Sequence, residues 1–203
     1  MVEGQAVFDA HAADEVVDVL RRGGFVVYPT DTLYGLGVDP FNPEAVGRLF
    51  AAKKRPEGQP LSVALADLDA AKELAIVSPR AEAFLRPWLP GPLTMLFRPT
   101  DKAPPTIVSS QGTVAIRVPK HPVALMLARR FGPITATSAN LHGKPASVEV
   151  WQAQEQFGDA VDMYVDAGPC PIGRESTIVD FTSAEPRVIR EGALSAERLG
   201  LVR

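Results

Sequence analysis

The chain has 203 residues, 46% of them hydrophobic and 22% charged, and a net charge of −3. That is enough apolar material for a sizeable core, and the slight acidity argues against a uniformly basic nucleic-acid binder. One cysteine, Cys170, excludes an internal disulfide framework or a cysteine zinc cluster, and no apolar run approaches the ~20 residues of a membrane span. The N-terminus lacks a basic-then-apolar signal pattern, so the expected compartment is the cytoplasm. No Gly/Ser linker or composition break divides the chain, so a single domain over 1–203 is expected.

Residues 12–22 are predicted as an amphipathic helix, with Ala13, Val16, Val17 and Leu20 on one face and Gly23 as its stop. Phe25–Tyr28 are β-branched or aromatic and uncharged, which predicts a buried strand; Pro29 ends it because it has no N–H to donate. Thr30, Asp31 and Thr32 then set small hydrogen-bonding groups at a strand mouth, where α/β sheets place ligands. Gly35 and Gly37 are expected in a turn, free to take positive φ or to pass close to a ligand. Asn42 and Pro43 open a second helix that runs through Val46, Leu49 and Phe50 into Lys53, Lys54 and Arg55. Those cations have two readings: a solvated helix end favoured by the helix dipole, or an anion site.

Further strands are predicted over 61–65, 93–97, 113–118, 134–137, 161–165, 176–179 and 187–190. Further helices are predicted near 67–74, 78–85, 121–132 and 148–157 and from Ser195 onward. Residues 99–111 read as a polar, proline-containing loop. Arg117 stands in an otherwise apolar strand. A buried arginine must be paired, either with an anion in a cleft or with an Asp or Glu of the chain. Interleaved strands and helices give the α/β (α+β) class, a twisted open mixed sheet with helices packed on it.

Several familiar sites are missing. There is no phosphate-binding G-x-x-x-x-G-K-[ST] loop, and Gly35-Leu-Gly37 is followed by residues that break the dinucleotide fingerprint. His11, His121 and His142 lack metal-ligand spacing, no serine lies in a G-x-S-x-G elbow, and no metal ligands are assigned. Cys170, between two prolines, reads as inert. What remains is a set of hydroxyls, amides and cations near element ends: Thr30, Thr32, Lys53, Arg55, Arg117, Ser138, Asn140, Ser176 and Arg190. Together they suit one polyanion plus one small zwitterion. A reaction that needs positioning and charge stabilisation rather than a protein nucleophile, such as nucleotidyl transfer, fits them.

Six blocks occur in order: Tyr28-Pro-Thr-Asp-Thr-Leu-Tyr-Gly-Leu-Gly37, Lys53-Lys-Arg-Pro56 with Pro60-Leu61 after it, Leu89-Pro-Gly-Pro-Leu-Thr94, Val114-Ala-Ile-Arg-Val-Pro119, Thr137-Ser-Ala-Asn140 and Glu175-Ser-Thr-Ile-Val-Asp180. This resembles the YrdC/TsaC family, the threonylcarbamoyl-AMP synthases, over about residues 10–195. The resemblance implies a YrdC-like domain with a large concave cleft. It implies an enzyme that joins L-threonine, bicarbonate and ATP into threonylcarbamoyl-AMP, with magnesium, and releases pyrophosphate. That is the first step of threonylcarbamoyladenosine modification of tRNA. It also implies a threonylcarbamoyl transferase as partner enzyme, tRNA as a further candidate partner, and no membrane.

Carried over by motif, Thr30, Tyr34, Arg117, Thr137 and Ser176 should form the threonine site, with Arg117 on the carboxylate. Lys53 and Arg55 should hold the triphosphate as the catalytic cations. Thr113, Ser138, Asn140, Ser147 and Arg190 should line the nucleotide site. Because the chain stops near residue 203, the short form without the extra C-terminal domain is expected. Its lid would come from its own loops, with 168–175 expected to close over the site and 99–111 as the other loop. A competing reading is a double-stranded RNA or tRNA binding module that uses the same concave face, through Lys53, Lys54, Arg55 and Arg117. Another is a carbamoyl-transfer maturation domain.

Overall fold

A computed structural model of the protein describes residues 8–54 and 61–201. In chain order the elements are α1 (Ala10–Arg21), β1 (Val26–Tyr28), β2 (Gly35–Gly37), α2 (Pro43–Lys53), β3 (Ser62–Ala64), α3 (Leu68–Leu74), α4 (Pro79–Leu85), β4 (Leu93–Phe97) and β5 (Val114–Arg117). They continue with α5 (Pro122–Phe131), β6 (Ile134–Thr135), β7 (Thr137–Ser138), α6 (Val150–Phe157), β8 (Met163–Tyr164), β9 (Thr177–Asp180), β10 (Arg187–Arg190) and α7 (Ala196–Leu199). Among the described residues no helix is long and apolar enough to cross a membrane.

Caps explain where the helices begin. The Asp9 carboxylate accepts from the N–H groups of His11 and Ala12, which starts α1 two residues before its apolar stripe suggests. Asn42 accepts from Glu44 and Ala45, with Pro43 pre-set at the first helical position. Ser78 and Ser195 cap α4 and α7 in the same way.

The class is the mixed α/β one expected, and hydrogen bonding divides the strands between two mixed sheets. One has four strands in the order β7-β2-β1-β8; the other has six, in the order β10-β9-β4-β5-β3-β6. β1 runs parallel to β8 and antiparallel to β2. In the larger sheet β4 pairs parallel with β9 and antiparallel with β5.

Gly35–Gly37 is a strand, not the turn expected from the glycines. It pairs with β1 in the register Val26↔Gly37 and Tyr28↔Gly35, and neither glycine has positive φ. The close approach is to the protein itself. A Cβ on Gly37 would lie 2.9 Å from the side chains of Tyr28, Val26 and Ile134, whereas one on Gly35 would be no closer than 3.6 Å. The Tyr28 hydroxyl crosses this gap and donates to the Thr135 carbonyl at 3.0 Å. Gly37→Ala should therefore cost about 1–3 kcal/mol of stability by overpacking, while Gly35→Ala stays within about 1 kcal/mol of the parent in urea unfolding. Equal midpoints for the two variants would contradict this packing.

Side-chain alternation divides each sheet into two faces. In the six-stranded sheet, Leu93, Met95, Phe97, Val114, Ile116 and Val179 form one core with Ala71 and Leu74 of α3 and Ala81 and Leu85 of α4. In the four-stranded sheet, Val26 and Tyr28 pack with α1 and α5, and Val27 packs with α2 and α6. The helices thus cover both faces of the small sheet and one face of the large one; on the other face of the large sheet α1 and α5 cover only the β3–β6 edge, through Ala64 and Ile134. The remaining face of the large sheet carries Thr94, Leu96, Ala115, Arg117 and Ile178.

Candidate active site

That remaining face floors a cleft of about 390 Å³. The 32–35 segment and β7 stand along one side of it, and Ser109, Ser110, Gln111 and Arg190 border another. The lining is dominated by hydroxyls and arginines over an apolar patch of Leu96, Ala115, Ile178 and Ile189.

Arg117 ends β5 on the cleft wall and is buried. Its Nη2 donates to Asp31 Oδ1 at 3.1 Å and to Thr32 Oγ1 at 2.9 Å. The arginine is therefore paired with a carboxylate of the chain. The pairing is one-sided: among the described residues Arg117 Nε and Asp31 Oδ2 are buried without a hydrogen-bond partner, as is His121 Nδ1. Burial pushes the Arg117 pKa down and Asp31 opposes that; a guanidinium stays charged in either case. Burial likewise draws His121 below its ordinary value, again with Asp31 opposing.

Lys53 is not a solvated helix end. Its side chain is buried, and Nζ donates to the backbone carbonyls of Ser138 at 2.5 Å and Asn140 at 2.8 Å. The cation spans from α2 to Ser138 at the end of β7 and Asn140 just beyond it, and lies behind the cleft wall rather than in its lining. Long-range placement decided this, since a carbonyl pair 85 positions away leaves no trace in the helix-end pattern. Lys54, the next residue, caps α2 in the left-handed region at φ 52°. Arg55 lies outside the described residues.

The other expected site residues divide between the cleft and the layer behind it. Tyr34, Thr113, Thr137, Ser138, Ser176 and Arg190 border the cleft. Thr30 lies behind it, where its hydroxyl donates to the Leu33 carbonyl at 2.6 Å and accepts the N–H groups of Thr32 and Leu33. Ser147 is fully buried, with its hydroxyl on the Ala139 carbonyl at 2.6 Å. The Asn140 side chain accepts from the Ser138 hydroxyl at 2.6 Å and donates to the carbonyls of Leu141 and Lys144. These three shape the wall instead of lining it.

Three contributors were missed in the sequence, and a fourth carried no assigned role. Thr94 shares a hydrogen bond of 2.7 Å with Ser176. Its signal was available, as a polar residue alternating with Leu93 and Met95. Ser109 is bonded to Thr113 at 2.8 Å, and Glu175 pairs with Arg190 at 2.8 Å; neither loop residue had a local signal. Thr32 was noted as a hydroxyl but not assigned to the site, although it borders the cleft and holds Arg117.

Of the segment 168–175, only Glu175 borders the cleft. The rest is tied back: the Tyr34 hydroxyl donates to the Gly168 carbonyl at 2.8 Å, Cys170 N–H to Val148 and Ile172 N–H to Asp31. Burial pushes the Cys170 thiol up to about 11, so it is a protonated thiol at neutral pH.

A family model described as Telomere recombination (Sua5_yciO_yrdC) matches residues 18–192. A Mycobacterium tuberculosis protein, provisionally named a threonylcarbamoyl-AMP synthase, is 40% identical over 187 residues, or 92% of this chain and 86% of that one. The threonylcarbamoyl-AMP synthase of Pyrococcus abyssi is 37% identical over 182 residues; the match takes in 89% of this chain but 54% of that longer protein. Among solved structures, P. abyssi Sua5 complexed with L-threonine matches with a TM-score of 0.89 and 35% identity, over 94% of this chain and 57% of that one. E. coli YciO matches with a TM-score of 0.84 and 25% identity, over 94% of each chain. A cleft of hydroxyls and arginines on the open face of a mixed sheet, together with these matches, shows that the chain belongs to the Sua5/YciO/YrdC family.

Proposed function

We propose that the protein is a threonylcarbamoyl-AMP synthase, a nucleotidyltransferase that joins L-threonine, bicarbonate and ATP and releases pyrophosphate. The observation that carries this reading is Arg117, a buried arginine on the wall of a hydroxyl-lined cleft in a relative of a protein solved with L-threonine. Arg117 takes the threonine carboxylate. Tyr34, Thr137 and the bonded pair Thr94–Ser176 bound the small polar pocket beside it, and Thr30 shapes that pocket from behind. The nucleotide occupies the other end, between the Ser109–Thr113 pair, Ser138 and Arg190. Ser147 and Asn140 hold the segment that carries Ser138, and Lys53 positions that segment through its carbonyls. Arg55 completes the phosphate end in this reading.

Carbamate made from the threonine amine and bicarbonate is an anion, and it must meet the α-phosphorus of another anion in line. At 4 Å and an effective dielectric of 20 two unit charges repel by about 4 kcal/mol. Arg190, with Arg55 and the magnesium that accompanies ATP, offsets this repulsion in this reading. Among the described residues no group of three His, Cys, Asp or Glu could hold a metal ion. Magnesium would enter with the ATP substrate in this reading and would neutralise the leaving pyrophosphate. No protein nucleophile is needed.

The product is a mixed anhydride prone to hydrolysis, so it passes to a threonylcarbamoyl transferase that modifies tRNA. A cytoplasmic location goes with these substrates and this partner.

The test is pyrophosphate release with bicarbonate and ATP across a series of amino acids. Threonine should far exceed valine, because the pocket's hydroxyls are left unpaired by an analogue without one, and serine should fall between. Valine turnover close to that of threonine sinks the pocket assignment. Release independent of any amino acid overturns the synthase reading. A competing RNA-binding module would instead hold RNA with a steep salt dependence and show no threonine-dependent release.

A further inference from the structure

We propose that Asp31 sets the charge selectivity of the amino-acid end of the cleft: its buried carboxylate cancels the charge of Arg117, so that the site takes a net-neutral zwitterion and rejects a carboxylate that lacks an ammonium group. The inference rests on the reading that Arg117 receives the substrate carboxylate.

Asp31 is 2% exposed and Arg117 is 5% exposed, so neither charge is screened by bulk water as a surface pair would be. One contact joins them, Nη2 to Oδ1 at 3.1 Å. A guanidinium meets a carboxylate best through two parallel N–H bonds, and that fork is not formed here. Nη2 is shared with Thr32 at 2.9 Å, and Nη1 has no hydrogen bond among the described residues. Arg117 therefore borders the cleft with one arm anchored and one arm open.

The other half of the pair matters as much. Asp31 Oδ2 is buried with no hydrogen-bond partner among the described residues. A carboxylate oxygen so placed has its charge undamped by local donors, and the field reaches across the guanidinium into the cleft. A ligand carboxylate on Arg117 gains the guanidinium but also feels Asp31 behind it. A ligand that carries its own ammonium offsets that repulsion; one without it does not. The amine of threonine is also the group that must become carbamate, so this charge balance admits only ligands that bring the reacting nitrogen. Because Asp31 favours the ammonium form in the bound ground state, its removal should raise KM for threonine without an equal fall in kcat.

The experiment compares L-threonine with (R)-3-hydroxybutanoate, which is the same skeleton without the amine, by calorimetry on the full chain. The parent protein should bind threonine at least about tenfold more tightly than the hydroxy acid. In Asp31→Asn that ratio should fall about tenfold, to near unity or below, because the anion gains and the zwitterion loses. General loosening of the site weakens both ligands and leaves the ratio alone. An unchanged ratio in Asp31→Asn, or a loss of kcat that matches the rise in KM, overturns the proposal. So does equal binding of the two ligands by the parent protein, a comparison that does not depend on the variant folding. Absence of any threonine binding by the parent protein would instead defeat the functional reading on which the proposal rests.

Discussion

Arg117→Met is expected to abolish threonine-dependent pyrophosphate release and to destabilise the fold by about 3–5 kcal/mol, because it strands the Asp31 carboxylate in the interior. For a domain of this size each kcal/mol moves the thermal midpoint by about 2–4 °C, so the fall should be roughly 6–20 °C. The double variant Asp31→Asn/Arg117→Met removes both charges together. It should recover most of that stability and none of the activity. A single variant that keeps its midpoint would show the ion pair contributes little. A double variant that regains turnover would show that Arg117 served only to neutralise Asp31, and that the threonine carboxylate binds elsewhere.

Lys53→Met should lower stability and activity together. The ammonium satisfies the backbone carbonyls of Ser138 and Asn140, and hydrogen bonds to charged groups contribute about 1.5–3 kcal/mol each. Without them Ser138 loses its support at the nucleotide end, so KM for ATP should rise more than KM for threonine. A solvated helix-end cation or a phosphate ligand predicts something else, namely little change in thermal midpoint. If Lys53→Met unfolds at the parent temperature yet makes no product, the side chain works on the phosphates directly and the positioning role is wrong.

The contrast between Lys53 and Asn42 shows what a sequence of this kind reveals. Asn42-Pro43 is a local device: the cap, the first helical residue and the helix are within reach of one another, so the start of α2 was legible. The end of the same helix was legible as an end, but the direction of Lys53 was not, because its partners come from a strand far along the chain. Arg117 was legible as an arginine that must be paired, while Asp31 as its partner within the chain required the tertiary fold. β2 was misread for a different reason. Two glycines in three residues carry the local signature of a turn, and only the Tyr28 ring lying over Gly37 shows why small residues are needed in a strand there. The mixed α/β class followed from the succession of elements. The division into two sheets did not, since it depends on which strand edges meet.

β1 makes its parallel pairing with β8 late in the order of synthesis. The Phe25 N–H finds the Asp162 carboxylate at 2.7 Å across 137 positions of sequence, and Val26 and Val27 pair with Met163 and Tyr164. A ribosome delivering this chain N-terminus first therefore releases β1 and β2 long before the strand that closes their outer edge. Until then Val26 and Val27 present an apolar, uncharged edge that another nascent chain could join. The same long closure makes folding of this sheet slow relative to the helices. The yield of native protein should thus be limited by how long that edge stays open, and slower elongation between β7 and β8 should increase the aggregated fraction at the expense of the native one.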